Sequence, residues 1–366
     1  MEKTVSLVLI EQCNLNCRYC YEHHKANARM PVPLAKKILY NELCNDDEYD
    51  EVYIDFFGGE PFLAFEIIKE LFDYIRCIPT KKKHIVYSTT NGTLIHGDVQ
   101  EWLKKNKDYF VCGLSLDGTR EMHNYNRSGS FDSIDFPFFC RLWPEQPVKM
   151  TVTPKSLNTL AEGIIFLHEQ GFKVSCNLAY GCDWSMQGLL EILERELDKL
   201  VNFYILHPDI EVCTMLDHGI EYLSTEPNVE YQKWCGSGTG MRVYSTEGIL
   251  YPCQFFTPLS MGESLSLKAR DLSFSEKIPL SEVDQSCQVC PFLRICPTCL
   301  GYNFLLNGNI HHRDLSLCRF TKLEIFATSY LKAKLLAMGK LTLENDELYR
   351  LIEGIKIVQK ELAQFA

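Results

Sequence analysis

The chain has no long basic block, no apolar run of bilayer-spanning length, no internal repeat, no low-complexity tract and no disordered linker. Each absence narrows what the protein does. The formal charge is −11 at neutral pH. With no basic stretch to offset it, neither a nucleic-acid backbone nor an anionic membrane suits the chain as a main partner. The opening MEKTVSLVLIEQC has too short an apolar region, and no small-residue cleavage site, for a signal peptide. With no bilayer-spanning segment either, a cytoplasmic protein is expected. What remains is a globular chain of 366 residues, 46% hydrophobic, long enough to bury one large core and a smaller one.

Cysteine departs from this ordinary composition. In a reducing compartment the 17 cysteines read as metal ligands and buried thiols rather than disulfides. Cys44, Cys77, Cys112, Cys140, Cys176, Cys182 and Cys213 are scattered, as small core residues are. The others fall into spaced motifs.

The first half alternates strand-like runs at 4–10, 51–57, 84–89, 110–116, 148–153 and 173–179 with helix-like segments such as 34–44, 65–75, 98–105 and 159–170, the last stopped by Gly171. Repeated strand–helix units predict parallel strands joined by right-handed crossovers, an open or closed α/β barrel. In such folds the active residues gather at the carboxyl ends of the strands. A cysteine loop follows the first run, Gly58-Gly59-Glu60-Pro61 the second, Thr90-Asn91-Gly92 the third and Asp117-Gly118 the fourth. An amphipathic segment at 187–204 would end the barrel, and cysteine spacing dominates 235–318. Helical periodicity returns at 323–335 and 344–365.

The cysteine loop reads EQCNLNCRYCYEHH, with Cys13, Cys17 and Cys20 spaced C-x3-C-x2-C. Three thiolates on a short loop can hold three corners of a four-iron cubane and leave the fourth iron open to a small molecule. A zinc knuckle completed by His23 or His24 is the alternative. The glycines Gly58 and Gly59 let backbone approach a ligand closely, and the Glu60 carboxylate can hold an ammonium group. The Ser115 hydroxyl, in Ser115-Leu116-Asp117-Gly118, can bond a ribose or a carboxylate, and Arg127, in HNYNRSGSFD, can take a carboxylate as a bidentate pair. Asn91-Gly92 is equally well a plain turn.

The cysteine loop, with Tyr19 before its third cysteine, resembles the radical S-adenosylmethionine (radical SAM) enzymes. The resemblance implies that Cys13, Cys17 and Cys20 hold the catalytic [4Fe-4S] cluster. It implies further that the GGEP segment binds the methionine amino group of S-adenosyl-L-methionine, and that Tyr19, Asn91, Ser115 and Arg127 also serve the cofactor. Further on, Cys235 and Cys253 bracket Gly248, and Cys287-x2-Cys290-x5-Cys296-x2-Cys299 and Cys318 follow. This order is similar to that of the SPASM domain, whose two auxiliary [4Fe-4S] clusters would bring the total to three. The interval from Cys296 to Cys299 is one residue shorter than the family pattern. By the family's ligand logic Cys287, Cys290, Cys296 and Cys318 hold the outer cluster, and Cys235, Cys253 and Cys299 the inner one. No cysteine between Cys235 and Cys253 supplies a fourth inner ligand, so an open iron or an unexpected ligand is expected there. A zinc ribbon is the alternative. His84, His168 and His207 read as surface or packing residues, and the aromatic stretches at 136–139 and 254–256 as core.

The resemblance implies a partial (β/α)6 TIM-like barrel over 1–204, a bridging region over 205–234 and a cysteine-rich SPASM domain with terminal helices over 235–366. It also implies a 5′-deoxyadenosyl radical that abstracts hydrogen from a precursor peptide, forming a thioether or C–C crosslink. The external electron donor would be of the flavodoxin or ferredoxin kind. The chain begins a few residues before its first strand, leaving no room for a leader-gripping winged-helix domain, so a separate leader-recognition protein is expected. The enzyme alternative is an anaerobic sulfatase-maturing enzyme, which forms formylglycine. That family carries an aspartate base directly after the cysteine of a Tyr-Pro-Cys segment, where this chain has Gln254, and glutamine cannot accept a proton. From another class, the chain could be an inactive cluster- or zinc-bearing binding module.

Overall fold

The strand-like runs of the first half form strands: β1 (Glu2–Ile10), β2 (Glu51–Gly58), β3 (Lys83–Thr90), β4 (Phe110–Leu114), β5 (Val148–Val152) and β6 (Val174–Leu178). Four more follow: β7 (Glu230–Gln232), β8 (Met241–Tyr244), β9 (Leu250–Tyr251) and β10 (Lys277–Pro279). The computed structural model describes residues 1–45, 48–224 and 230–365. By contacts they form two compact units that interleave along the chain. The first takes Met1–Leu116, His123–Val148 and Cys235–Glu276; the second takes Asp117–Met122, Lys149–Trp234 and Lys277–Ala366. Residues 225–229 of the expected bridging region lie outside the described residues.

The first unit is built on a six-stranded sheet in the order β4-β3-β2-β1-β8-β9. Strands β1 to β4 and β8 run parallel, and only β9 turns back, against β8. This corrects the expected strand succession, because β5 and β6 form a sheet of their own and β8 and β9 fill the other edge. Alternation marks a strand but does not name its neighbour, which is chosen by long-range pairing. Strand β1 is buried over nearly its whole length, as a central parallel strand covered on both faces should be.

Helix Phe65–Cys77 buries Ile68, Leu71, Phe72 and Ile75, the i, i+3, i+4, i+7 stripe of an amphipathic helix. Phe72 and Trp102 close edge-on against Phe110 of β4, with ring centroids 5.9 and 5.2 Å away. At the opening end of β1, Lys3 bonds the buried carboxylate of Glu42, which also accepts from Arg242 at 3.1 Å and from Tyr244, both on β8. Buried polar groups need such partners, and through these bonds Glu42 ties the late strand β8 to the first strand.

In the second unit, helices Leu160–Glu169, Leu189–Leu206, Cys318–Ala337 and Asn345–Phe365 supply most of the regular structure. Ile325, Phe326, Leu351 and Val358 pack with Ile220, Phe292 and Ile295. A Cβ on Gly354 would lie 2.1 Å from the Ile220 carbonyl oxygen, so helix Asn345–Phe365 depends on glycine to approach that turn. Among the described residues no helix is long and apolar enough to cross a membrane.

Candidate cofactor and cluster sites

The chain leaves β1 at Ile10 into the cysteine loop and returns beside the same strand. Glu11 N–H donates to the Ala28 carbonyl at 3.1 Å and Met30 N–H to that of Leu9 at 2.9 Å, and Ile10 bridges Arg29. These backbone bonds close the loop at its neck. Its body is pinned from outside: Asn14 Nδ2 donates to Thr93 Oγ1 at 2.8 Å, Asn16 N–H to Ser128 Oγ at 3.1 Å and Arg18 N–H to the Asn126 carbonyl at 2.9 Å. Arg18 also lies over the Tyr125 ring at 4.4 Å.

Within this frame Cys13, Cys17 and Cys20 are all partly exposed. Cys17 and Cys20 line a cavity of about 830 Å³ with Glu22, Lys25, Asn124 and Tyr125. Burial pushes the Cys13 thiol above its ordinary range. The Leu15 N–H and the Lys25 ammonium oppose that rise, while Glu60 and Cys20 add to it. Burial raises the Glu22 carboxyl to about 8. At Lys25 burial works to lower the ammonium, but Cys20 and Cys13 outweigh it and the net shift is upward.

The Gly58-Gly59 turn lies directly on the neck. A Cβ at Gly58, where φ is +150°, would stand 2.0 Å from the Ile10 carbonyl oxygen, and one at Gly59 2.5 Å from that of Gln12. Gly59 N–H and Glu60 N–H donate to those same two carbonyls at 3.0 and 2.9 Å. Glu60 is 1% exposed. Its Oε1 accepts from Thr90 Oγ1 at 2.7 Å and Phe62 N–H at 3.1 Å, and its Oε2 from Asn91 N–H at 2.8 Å. Burial raises the carboxyl against the pull of those donors and of Arg127. A carboxylate offers about four lone-pair sites, and these three donors take three of them.

Asn91 turns its side chain to the cysteine loop, donating from Nδ2 to Asn14 Oδ1 at 2.9 Å. Ser115 follows β4, and its N–H bonds the Thr90 carbonyl at 3.0 Å. Arg127 is buried, with its guanidinium 5.2 Å from the Tyr19 ring centre. Gly58, Gly59, Glu60, Asn91 and Arg127 thus contact the cysteine loop that carries Tyr19, whereas Ser115 is tied to Thr90 and not to the loop. The sequence alone placed Thr90 at the end of the third strand without giving it a role and passed over Asn14 and Lys25; the asparagine inside the cysteine motif was the one available signal.

The second cysteine set divides between the units. Cys287, Cys290, Cys296 and Cys318 line one cavity of about 670 Å³ in the second unit, with Arg313 beside them. Burial raises Cys296 to about 11; Arg313 lowers it, and Cys290, Cys318 and Cys287 raise it further. Cys299 instead caps helix Leu300–Asn307, its Sγ accepting from Tyr302 N–H at 3.4 Å. Cys235 and Cys253 belong to the first unit, the former exposed and the latter partly so.

Among the described residues no group of three or more His, Cys, Asp or Glu is arranged to hold a metal ion. A cubane is bound at separate corners, so its thiols must surround a volume rather than a point. Two of the three partly exposed thiols of the loop around the first cavity, and four thiols around the second, suit that donor chemistry. A buried carboxylate such as that of Glu60 suits an ammonium group as partner.

Comparison with known proteins agrees with this chemistry. Residues 7–137 match the family described as the Radical SAM superfamily. A cysteine-type anaerobic sulfatase-maturating enzyme of Clostridium novyi is 33% identical over 136 residues, covering 33% of this chain and 35% of that enzyme. The chain thus matches only about a third of that relative's length. The subtilosin biosynthesis protein AlbA of Bacillus subtilis is 26% identical over 347 residues, 86% of this chain and 70% of AlbA. The structure of native anSMEcpe with bound AdoMet superposes with a TM-score of 0.70 at 20% identity, covering 92% of this chain and all of that one.

Proposed function

We propose that this chain, which carries a radical SAM domain over residues 7–137, is a peptide maturase that crosslinks a ribosomally made precursor through a thioether or C–C bond. The observation that carries this reading is the braced cysteine loop, with three partly exposed thiols, two of them lining a cavity, and the GGEP turn with its buried Glu60 bonded to the loop's neck. When bound, S-adenosylmethionine and the clusters supply a hydrogen-abstracting 5′-deoxyadenosyl radical and an acceptor for the electron left on the substrate.

The chain's own residues hold and orient. Cys13, Cys17 and Cys20 are the ligands of the cofactor-binding cluster, and Cys287, Cys290, Cys296 and Cys318 those of an outer auxiliary cluster. Cys235 and Cys253 are read as auxiliary-cluster ligands, as is Cys299. The Glu60 carboxylate takes the cofactor's ammonium, and Arg127, seated on Tyr19, takes its carboxylate. Ser115 and Asn91 line the same place, while Gly58 and Gly59 let that turn lie against the loop. A flavodoxin- or ferredoxin-like donor supplies electrons, a separate protein presents the leader, and the enzyme works in the cytoplasm.

Crosslinking is preferred over formylglycine formation because the position after Cys253 holds a donor. The Gln254 amide hydrogen-bonds toward Ser6 and Asp55 and cannot act as a base. Formylglycine formation is the second reading, favoured by the identity to the Clostridium novyi enzyme. Anaerobic incubation with S-adenosylmethionine, a reductant and a cysteine-containing candidate peptide tests both. A thioether product keeps its sulfur and loses one hydrogen from carbon and one from sulfur; a formylglycine product loses the sulfur and gains an aldehyde. Absence of any 5′-deoxyadenosine would reduce the protein to a binding module.

A further inference from the structure

Gln254 follows Cys253 in the sequence and opens the single 3-10 turn Gln254–Phe256. Its side chain reaches back to the central strands of the first unit, Nε2 lying 3.0 Å from Ser6 Oγ on β1 and 3.3 Å from Asp55 Oδ2 on β2. Ser6 and Asp55 face each other in register, and Ser6 Oγ donates to the same Oδ2 at 2.9 Å. Ser6 is 0% and Asp55 3% exposed, so a carboxylate removed from water is partnered there by a hydroxyl and an amide. A carboxylate accepts and does not donate, which fixes the amide nitrogen of Gln254 toward it. The backbone carbonyl of Gln254 is engaged as well, by Thr257 Oγ1 at 2.8 Å and Ser260 Oγ at 3.1 Å.

The same segment touches the cysteine loop. Phe255 stacks on Tyr21, next to Cys20, with ring centroids 5.2 Å apart. His24 N–H donates to the Leu259 carbonyl at 3.0 Å, and a Cβ on Gly262 would come within 3.1 Å of His24 Nε2. One short segment thus leans on the cysteine loop, is anchored to β1 and β2, and carries Cys253 immediately before its anchor.

We propose that Gln254 is a positioning residue: by bonding the Ser6–Asp55 pair it fixes where the Cys253 thiolate stands and braces the cysteine loop through Phe255. The proposal rests on Cys253 being a ligand of an auxiliary cluster, and the experiment separates the two ideas. Gln254→Glu sets a second carboxylate against Asp55, and like charges at that distance cannot both stay ionised without cost. Asp55→Asn combined with Gln254→Glu restores one amide–carboxylate pair with the roles exchanged.

The readouts are iron per chain after anaerobic reconstitution and the electron paramagnetic resonance spectrum of the reduced auxiliary clusters, recorded where Cys13, Cys17 and Cys20 are replaced by alanine. Gln254→Glu is expected to lose about four irons, one cubane's worth, with the matching part of the signal, and the double variant to recover both. Cys253→Ser should show the same loss. If Cys253→Ser loses iron while Gln254→Glu keeps wild-type iron and spectrum, the positioning role is wrong and the ligand assignment stands. If Gln254→Glu loses iron and the double variant does not regain it, the pairing with Asp55 is overturned. If Cys253→Ser changes nothing, the ligand assignment falls and the inference with it.

Discussion

The two cysteine-bearing regions are held in place by different physics. The loop of Cys13, Cys17 and Cys20 grows from the end of a buried parallel strand, is closed at its neck by backbone bonds, and is gripped by Asn91, Thr93, Ser128 and Asn126. The segment with Cys287, Cys290 and Cys296 does not grow from a long parallel strand; it follows the short strand β10 and is anchored by side chains, Phe292 and Ile295 packing with Ile220, Ile325 and Phe326. Cys287 lies on the single turn Gln285–Gln288, packed in a small cluster with Ile278, Val283 and Leu293. Beyond that the segment is tied by Asp284 Oδ2, which accepts from Arg313 N–H at 2.7 Å, and by Arg313 Nη1, which donates to the Cys296 carbonyl at 3.1 Å. A loop braced by the fold can present an open metal site without depending on it, whereas short turns around buried thiols depend on the metal for order.

The largest expected effect follows from that contrast. Replacing Cys13, Cys17 and Cys20 together by alanine should abolish S-adenosylmethionine cleavage and remove about four of about twelve bound irons, while amide exchange at 9–30 stays near wild type. Replacing Cys287 and Cys290 by alanine should instead speed exchange across 284–299 by about tenfold or more, since the backbone bonds there close only short local turns, Cys287 and Gln288 N–H on the Asp284 carbonyl and Ile295 and Cys296 N–H on that of Phe292. Hydrogen exchange followed by mass spectrometry decides it, and equal loosening of both regions would break the comparison.

Next in size is the turn beneath the first loop. Gly58→Ala would put a Cβ 2.0 Å from the Ile10 carbonyl oxygen at a φ of +150°, a clash with backbone that no side-chain rotation relieves. Overpacking and backbone strain together predict a loss of about 2–4 kcal/mol, read as a lower denaturant midpoint, with weaker iron retention by the first loop alone. Smaller again are Glu60→Gln and Arg127→Ala. Losing one charge-assisted pair costs about 1.5–3 kcal/mol, so S-adenosylmethionine should bind about ten- to a hundredfold more weakly. Calorimetric titration on reconstituted protein gives the affinity, and unchanged values for both variants would mean that the cofactor sits elsewhere.

How much of this was legible in the sequence depended on how local the cause was. Strands β1 to β6 announce themselves by short apolar or β-branched runs, and their carboxyl ends carry the unusual residues because those ends are where loops emerge. Strands β8 and β9 are too short, at Met241–Tyr244 and Leu250–Tyr251, to show any periodicity. The three donors that occupy Glu60 come from Thr90, Asn91 and Phe62, a meeting fixed by the β2–β3 neighbourhood and not by spacing. The bond from Gln254 to Ser6 spans 248 positions. A motif could say that residue 254 is not a base, but only the register of β1 on β2 could say what it holds.

The smallest expected effect separates ordinary proton-linked stability of the second unit from metal-linked stability. His168 lies between helix Leu160–Glu169 and its partner Leu189–Leu206, with Nδ1 3.0 Å from the Phe172 carbonyl oxygen and Nε2 2.8 Å from Tyr204 Oη. A neutral ring satisfies both, donating from Nδ1 and accepting at Nε2. Burial lowers its pKa, against the raising influence of the Phe172 carbonyl and Glu211. The unfolded chain therefore binds the extra proton first, near the ordinary value of about 6.5, so the contribution is complete above that pH and is lost as pH falls through the lower, folded value. Ligand thiolates also protonate in acid, and iron-loaded protein would show both effects at once. In iron-free protein the metal-linked effect is absent. His168→Gln, which keeps one hydrogen bond and cannot titrate, should cost about 1 kcal/mol at pH 8 and flatten the decline in denaturation midpoint below pH 6.5. An unchanged decline in that variant would assign the acid sensitivity of the iron-free chain to other titrating groups.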